Sequence, residues 1–403
     1  MSEWIDCKIG DLCSKIYSGG TPSTAHPEYW NGKYNWLSSG ETSNRYIIKT
    51  EKTITQEGVN SSSTKLAKFG SLVIASAGQG KTRGQVSVLK CDAYINQSII
   101  ALVSKPELLD ITFLFYNMSL RYEELRVRSD ASSTRGSITT DMLKKLPILL
   151  PDLTTQKIIA DILSVYDNLI EANNHRIELL EKAAQELYKE WFIRFRFPGH
   201  EKVKLENGLP EGWQVKRMNE FCYVTDGTHD TPKPVYAGVP LITGRCISSG
   251  FIDFSVAYNI SEADHKDIKK RSGLKSGDII FSNIGTVGNC CIIDYDREFS
   301  VKNVIIFKPK SMRDTAYLYY WMISSTMQEI FATQTNGASQ QFVGLTFMRR
   351  YKLLIPKDEV LDIFADKVLP IIEQKRLLYQ NNLNLMTQRD MLLPRLMSGK
   401  LGV

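Results

Sequence analysis

The sequence predicts an α+β protein in which helices and strands are mixed and one domain, followed by a long helix, occurs twice. Three observations predict this fold: an internal duplication with a period of about 205 residues, short apolar runs between turn residues, and two long segments with helical periodicity. The chain has 403 residues, of which 43% are hydrophobic. It is therefore long enough for two or three domains with substantial cores.

The duplication rests on short segments that recur in the same order in both halves. Trp4–Cys13 returns as Trp213–Cys222, with Trp, a basic residue, an acid and Cys in step. The other matches are Phe69–Gly78 with Ser276–Gly285, Leu114–Met118 with Leu318–Met322, and Met142–Pro151 with Phe347–Pro356. A period of this length is far too long for a solenoid repeat, so it indicates two copies of a domain plus a helix.

The elements of each copy follow from local patterns. Compact apolar runs predict strands at Leu72–Ala75, Ile99–Val103, Asp278–Ser282 and Val304–Phe307, and helical spacing predicts helices at Ile111–Arg128 and Thr315–Phe331. Proline and glycine mark the junction into the second copy. The predicted boundaries are 1–151 and 198–356 for the two domains, and 152–197 and 357–403 for the two long helices.

The long helical segments carry apolar stripes that alternate by three and four residues. Residues 154–195 contain neither Pro nor Gly, and about 40 helical residues would extend roughly 60 Å. The predicted inward positions include Ile159, Ile162, Tyr166 and Leu169 in the first segment, and Phe364, Val368, Ile371 and Lys375 in the second. Both stripes place an Asn inward, Asn173 and Asn382, and a buried Asn can fix the register of paired helices. The sequence favours a coiled coil over two helices lying on separate domains.

The signatures of catalysis, metal binding and export are missing from the sequence. Its five His and seven Cys form neither an HxxxH nor a CxxC pair, and a G-x-S-x-G motif does not occur. His229 lies in D-G-T-H-D-T-P, where a solvated turn histidine is favoured over a catalytic base. Apolar runs of 18 residues and a signal-peptide pattern are also missing. We expect a non-catalytic cytoplasmic chain that does not span a membrane and holds neither a cofactor nor a metal ion.

One segment resembles the phosphate-binding loop of nucleotide hydrolases. Leu72–Thr82 reads L-V-I-A-S-A-G-Q-G-K-T, with Ala75 in place of the usual first glycine. Such a loop needs a helix directly after it, whereas the continuation R-G-Q-V-S-V-L alternates as a strand does. A polar, basic hairpin loop from Gln79 to Gln85 is the preferred interpretation, and a nucleotide hydrolase is retained as an alternative.

Polar loops at matched places point to contacts with nucleic acid. Ser129–Ser137 and Thr335–Gln341 are rich in Ser, Thr, Gln, Asn and Gly, and each precedes a pair of basic residues. The net charge of +6 permits binding of a polyanion. Side chains of these types suit contacts to phosphates and base edges. The candidate DNA-binding residues are Gln79, Lys81, Thr82, Arg83, Thr134, Arg135, Arg245, Asn283, Gln340 and Gln341.

The whole pattern resembles the specificity subunit of type I restriction–modification systems. The residues that carry the resemblance are the two domain openings already quoted, the block K-L-P-I-L-L-P-D-L-T-T-Q-K-I-I-A-D-I-L at Lys145–Leu163, and the ending L-L-P-R-L-M-S-G-K-L at Leu392–Leu401. The helix blocks are fairly specific to that family. The loops of the domains vary within it and carry no residue-by-residue match.

The resemblance implies a pseudo-twofold arrangement of two target recognition domains separated by two long antiparallel helices. Each domain would recognise one half of a split, asymmetric site in double-stranded DNA. The helices would set the spacer and dock two methyltransferase subunits, and restriction subunits would complete the nuclease. S-adenosylmethionine, ATP and magnesium would belong to those partners. A coiled-coil scaffold that does not bind DNA is retained as the other alternative.

Overall fold

The computed structural model describes residues 4–78, 80–132, 136–248, 250–335 and 342–403. The chain divides into two compact units. Unit 1 comprises residues 1–171 and 382–403, and unit 2 comprises residues 172–381. Each unit therefore contains its own mixed domain together with a segment of both long helices. In the described part of the chain, we find no helix that combines the length and apolarity needed to cross a membrane.

Unit 1 begins with a domain of short strands and helices. Its strands are β1 (Ile5–Lys8), β2 (Cys13–Ser18), β3 (Trp30–Leu37), β4 (Tyr46–Ile47), β5 (Lys52–Ile54), β6 (Lys65–Ala67), β7 (Leu72–Ala75), β8 (Val86–Leu89), β9 (Ala93–Ile95), β10 (Ile99–Ser104) and β11 (Pro147–Leu150). Its helices are α1 (Ile9–Leu12), α2 (Gln56–Asn60), α3 (Ile111–Leu120), α4 (Tyr122–Ser132) and α5 (Thr140–Lys144), and the first long helix, α6, spans Leu153–Tyr188.

Unit 2 contains the second domain and the greater part of the second long helix. Its strands are β12 (Leu205–Glu206), β13 (Leu209–Pro210), β14 (Gln214–Arg217), β15 (Tyr223–Asp226), β16 (Val239–Ile242), β17 (Ile247–Ser248), β18 (Phe251–Ile252), β19 (Tyr258–Ile260), β20 (Ile279–Ser282), β21 (Cys290–Ile292), β22 (Ser300–Val301), β23 (Val304–Lys308) and β24 (Lys352–Ile355). Its helices are α7 (Met218–Phe221), α8 (Glu262–Ser272), α9 (Met312–Ile323), α10 (Ser325–Thr335) and α11 (Leu345–Arg350), and the second long helix, α12, spans Asp358–Met397.

The sheet topology of the two units confirms the duplication predicted from the sequence. The central sheet of unit 1 has the strand order β2-β10-β7-β8-β4, and that of unit 2 has the order β15-β23-β20-β21. A second sheet, β5-β3-β9-β6, corresponds to β19-β16-β22, and each contains one parallel pair. The pair β1-β11 corresponds to β14-β24. The same connections thus occur twice, in the same chain order.

Local sequence explains why the central sheets form and what covers them. All four residues of β7 are buried, as are those of β20, which is typical of central strands with both faces covered. Helix α3 packs on β7 and β8 and begins at Asp110, whose carboxylate accepts the amides of Thr112 and Phe113 at 2.9 Å. In unit 2, Ser311 caps α9 in the same way, by accepting the amide of Asp314.

The two long helices show a heptad pattern of buried residues, as the predicted coiled coil requires. In α6 the positions buried at intervals of seven are Gln156, Leu163, Ile170, Ile177 and Ala184. In α12 they are Leu361, Val368, Lys375 and Asn382, with Leu396 two heptads further on. In unit 2 the helices run antiparallel, because Glu181 contacts Lys375 while Tyr188, further along α6, contacts Phe364.

One detail of the predicted seam is wrong. Leu169 was expected to point inward, but it is 47% exposed, and the buried positions are Leu163, Asp167 and Ile170. The reason is that α6 has a second apolar stripe, and three-four alternation alone does not distinguish the two stripes. Asn173 is half-buried, whereas Asn382 is 1% exposed. Both residues make contacts with neighbours, and their role in fixing the register stays a prediction.

Candidate nucleic-acid interface

Three segments of unit 1 converge at one end of the central sheet. Ser18, the last residue of β2, pairs with Ile100, and Ala75, the last residue of β7, pairs with Ile99. The chain therefore leaves both strands at the same end of the sheet, next to the start of β10. The segment that precedes α5 joins them there, because the amide of Ile138 donates to the carbonyl of Ser76 at 2.9 Å. We call residues 19–32, 76–85 and 136–139, apart from residue 79, the recognition edge of unit 1.

Unit 2 builds the same edge from the corresponding strands. Asp226 at the end of β15 pairs with Ile305, and Ser282 at the end of β20 pairs with Val304. The segment before α11 again closes the edge, because the amide of Val343 donates to the carbonyl of Asn283 at 2.9 Å. Residues 227–238, 244–246, 283–289 and 342–344 form the recognition edge of unit 2.

Among the candidate residues of unit 1, Lys81 and Thr82 lie on the recognition edge, in the turn between β7 and β8. Lys81 is exposed and Thr82 is half-buried. The turn is held in place from the side, because the hydroxyl of Tyr122 on α4 donates to the carbonyl of Lys81 at 2.8 Å. The Lys81 ammonium group is thus presented to solvent on a supported backbone, as a contact to phosphate requires.

Arg83 has a different environment from its neighbours in the turn. Its side chain is only 8% exposed, and its Nη2 lies 2.7 Å from the Oδ1 of Asp130 on α4. The carbonyl of Arg83 also accepts a hydrogen bond from Arg126 at 3.2 Å. Arg83 therefore connects the turn to α4 from the inside, and its charge is already paired.

In unit 2 the structure brings Arg245 to the recognition edge. Arg245 is exposed in the short 3₁₀ turn Gly244–Cys246, and Thr286 of the β20–β21 turn donates to the carbonyl of Gly244 at 3.4 Å. Asn283 is also at the edge but is 6% exposed, and its amide nitrogen donates to the carbonyl of Val343 at 3.1 Å. Asn283 thus fastens two segments of the edge to each other.

The remaining candidates for DNA contact lie outside the described residues. These are Gln79, Thr134, Arg135, Gln340 and Gln341. The described residues that flank them belong to the recognition edges: Gly78 and Gly80 in the β7–β8 connection, Gly136 before α5, and Phe342 before α11. The described neighbours of these candidates therefore lie at the recognition edge in each unit.

The nucleotide-hydrolase alternative is not supported by the geometry of the Leu72–Thr82 segment. Residues 80–84 form a turn, and β8 then runs antiparallel to β7, with Leu72 opposite Val88. A phosphate-binding loop depends on the amides and the dipole of a helix that starts at this point. Here the backbone continues as a strand, so the resemblance of the letters does not extend to the structure.

Two glycines on the recognition edges were not among the residues that the sequence analysis selected. Gly19 and Gly227 occupy the same place, directly after β2 and β15, and begin loops of the two recognition edges. A Cβ on Gly19 would lie 1.9 Å from the carbonyl oxygen of Ile95, and one on Gly227 would lie 2.4 Å from that of Val301. The matched signal in the sequence was S-G-G-T in the first copy and D-G-T-H in the second.

Within the described ranges, no group of three or more His, Cys, Asp and Glu side chains is arranged to hold a metal ion. The Nε2 of His229 donates to the Oδ2 of Asp226 at 2.8 Å, and its Nδ1 lies 3.2 Å from the amide oxygen of Asn303. The hydrogen bond to Asp226 holds the ring in the turn, which favours an anchoring histidine over a catalytic base.

Comparison with known proteins agrees with this architecture. A family model for the type I restriction modification DNA specificity domain matches residues 1–182 and 210–375. The specificity subunit of the type I restriction enzyme MjaIX from Methanocaldococcus jannaschii is 27% identical, over 100% of this chain and 94% of its own length. The specificity subunit of the HindI enzyme from Haemophilus influenzae is 21% identical, over 100% of both chains. The crystal structure of the type I S subunit from M. genitalium shares the fold, with a TM-score of 0.59 at 18% identity, over 98% of this chain and 96% of that one.

These comparisons give no support to a scaffold that does not bind DNA. The family model covers most of the chain, including both copies of the duplicated domain. The matched relatives are specificity subunits, which are non-catalytic components of such enzymes. The chain belongs to the type I restriction–modification DNA specificity family, and its role is DNA sequence specificity.

Proposed function

We propose that each unit recognises one half of a bipartite, asymmetric DNA site through its recognition edge. The observation that carries the proposal is that the same edge occurs twice with different exposed residues. Unit 1 presents Lys81 and Thr82, whereas unit 2 presents Arg245. Two identical recognition units would select a palindrome, but two unlike ones in a single chain select two different half-sites.

The long helices would act as a spacer between the half-sites. Their seam supports this role, because positions of α12 are buried at intervals of seven from Leu361 to Asn382, and again at Leu396. A coiled coil with a constant register is stiff and has a definite length. The separation between the two contacted stretches of DNA would follow from that length.

The second apolar stripe of α6 supports a docking role for the helices. Ile158, Val165 and Leu179 recur at multiples of seven residues and are 40%, 55% and 53% exposed, with Leu169 beside them. A regular apolar stripe that solvent reaches is typical of an interface with another protein. We assign it to methyltransferase subunits, two per specificity subunit, with restriction subunits joining them. The complex would work in the cytoplasm, and S-adenosylmethionine, ATP and magnesium would be bound by those partners.

Methylation-sensitive long-read sequencing of host DNA, with and without the gene, tests the proposal. The expected result is a split motif with methylated adenines that disappears when the gene is deleted and returns when it is restored. The gene is also restored with Lys81→Ala and Arg245→Ala together. This double variant should methylate the same motif more weakly than the wild-type gene does. A methylation pattern that does not change on deletion, although the methyltransferase co-purifies with the chain, would contradict the proposal.

A further inference from the structure

The loop that follows β15 in unit 2, residues 227–238, is fixed at its beginning. The amides of Gly227 and Thr228 donate to the carbonyls of Val304 and Val301, both at 3.0 Å. His229 is held between Asp226 and Asn303, as described above. The first three residues of the loop are therefore attached to the neighbouring segment between β22 and β23.

The same loop is fixed in the middle and at its end. The ammonium group of Lys302 donates to the hydroxyl of Thr231. The amide of Val235 donates to the carbonyl of Asn259 at 2.9 Å, and the side-chain amide of Asn259 donates to the carbonyl of Tyr236 at 3.4 Å. Prolines at positions 232 and 234 restrict the backbone between these points. We call residues 227–238 the anchored loop of unit 2.

Tyr236 and Lys233 are among the exposed residues of the anchored loop. Tyr236 has a relative exposure of 102%, and Lys233 is exposed three residues before it. A tyrosine in this position keeps a large apolar ring and a hydroxyl in water on a backbone that is already ordered. Because little conformational entropy remains to be lost, contacts made by such a ring contribute efficiently to binding.

Unit 1 has a loop of the same construction after β2, residues 19–29. The amide of Gly20 donates to the carbonyl of Ile95 at 3.0 Å, and the ring of His26 stacks on that of Tyr29 with 4.8 Å between centroids. The indole of Trp30 donates to the carbonyl of Ser23 at 3.2 Å. The first anchor is thus repeated, because the Gly20–Ile95 bond corresponds to the Thr228–Val301 bond, whereas the side chains of the two loops differ. This combination is what two recognition elements for different sequences require.

We propose that the anchored loops enter the DNA grooves, and that Tyr236 and Lys233 recognise the half-site of unit 2. Tyr236 contacts base edges with its ring and hydroxyl, and Lys233 contacts a phosphate. The inference rests on the proposed function, and it adds one specificity-determining residue, Tyr236, and one phosphate contact, Lys233, that the sequence analysis did not select. Each loop leaves its sheet at the recognition edge, beside the turn that carries Lys81 in unit 1 or beside Asn283 in unit 2.

The test uses the full chain in complex with its methyltransferase and a duplex that carries the motif found by sequencing. Competition binding is measured against duplexes with single base-pair changes in each half-site, for Tyr236→Ala and Lys233→Ala. Tyr223→Ala is the matched control, because Tyr223 is 62% exposed at the opposite end of β15. Thermal unfolding of each variant confirms that it folds.

Tyr236→Ala is expected to lose about ten-fold discrimination at one or more base pairs of a single half-site, with the other half-site unaffected. Lys233→Ala should weaken binding to all duplexes alike and reduce the salt slope by about one. If Tyr236→Ala discriminates as wild type does at every position, the inference is overturned and the proposed function stands. If the wild-type complex has no sequence preference, both are overturned.

Discussion

Arg389 on α12 donates from its Nη1 to the Oδ1 of Asp167 on α6 at 2.5 Å. The hydroxyl of Tyr116 on α3 donates to the other carboxylate oxygen, also at 2.5 Å. Burial and the hydrogen bond to Asp167 both raise the pKa of Tyr116. Burial opposes the charge on Arg389, but Asp167 and Asp390 hold its pKa above the ordinary value. Asp167 therefore joins the domain of unit 1 to both long helices.

Replacing Asp167 should destabilise unit 1. Asp167→Ala removes the carboxylate that accepts from the buried Tyr116 hydroxyl and leaves Arg389 paired with Asp390 alone, which should cost about 1–3 kcal/mol. The measurement is chemical unfolding followed by protection from proteolysis within residues 4–171. Asp161→Ala is the control, because Asp161 is exposed on the same helix. Equal unfolding midpoints for the two variants would contradict the role assigned to Asp167.

The helices of unit 2 contain a second ion pair. As in the first pair, α6 supplies the carboxylate and α12 supplies the cation. Lys375 on α12 donates to Glu181 on α6, and the ammonium group lies 5.5 Å from the ring centroid of Tyr319. From Asp167 to Glu181 the first helix advances by the same 14 residues that separate Arg389 from Lys375 in the reverse direction. Fourteen residues are two heptads, so the pair in each unit occupies the same heptad position of both helices.

This register makes a prediction about the spacer. One heptad inserted after Asn174 and one after Asn381 keep facing positions aligned and lengthen the helices by about 10 Å. At about 3.4 Å per base pair, the spacer of the methylated motif should grow by at most about three base pairs, with both half-sites unchanged. A heptad in only one helix shifts the register and should reduce methylation instead. An unchanged spacer in the double insertion would refute the helical-spacer proposal.

The sequence predicted the elements whose signal is local. Leu72–Ala75 is a run of four apolar residues, and it forms β7 with the same boundaries. The duplication was visible because the short segments around these strands recur in order. The heptads of α12 were visible for the same reason, although Lys375 and Asn382 occupy buried positions that composition alone would not suggest.

The parts that the sequence did not predict depend on contacts between distant residues. Arg83 has the composition of a surface cation, and only the fold brings Asp130 to it. Leu169 belongs to a regular stripe, but which stripe faces the other helix depends on tertiary packing. The anchored loop of unit 2 is held by backbone groups of Val301 and Val304, more than 70 positions further on, which leave no pattern in the loop itself.

Replacing Lys81 should weaken DNA binding, whereas replacing Arg83 should lower the stability of the protein. Lys81→Ala removes an exposed cation, so we expect weaker DNA binding, a salt slope lower by about one, and unchanged stability. Arg83→Ala removes the ion pair between the buried Arg83 side chain and the exposed Asp130 carboxylate, and should cost about 0.5–1.5 kcal/mol of stability. Salt-dependent binding and thermal unfolding, measured on both variants, distinguish the two effects. If Arg83→Ala lowers the salt slope as Lys81→Ala does, without loss of stability, the structural role of Arg83 is wrong.

The cysteines should differ in their reactivity with pH. Burial raises the pKa of Cys13 to about 11 and that of Cys222 to about 12. Because the thiolate is the nucleophile, a raised pKa keeps these groups neutral and slow at pH 8. Thiol labelling of the native protein should reach Cys7 and Cys91, which are half-buried, well before the five buried cysteines, and unfolding should expose all seven. Peptide mapping identifies the labelled sites, and equal rates for Cys13 and Cys7 would count against the packing described.

The exposed stripe of α6 should be required for assembly and not for folding. Val165→Glu with Leu169→Glu places two charges where apolar side chains are about half exposed. We expect the chain to unfold at the wild-type temperature, because these side chains contribute little to its own core. Co-purification with the methyltransferase should fall at least about ten-fold, since a buried, unpaired carboxylate in an interface is costly. Lys157→Glu is the control, because Lys157 is exposed and, one residue before Ile158, projects from a different face of the same helix. Wild-type assembly of the double variant would show that the partner binds elsewhere, and loss of assembly in both variants would point to a general effect of charge.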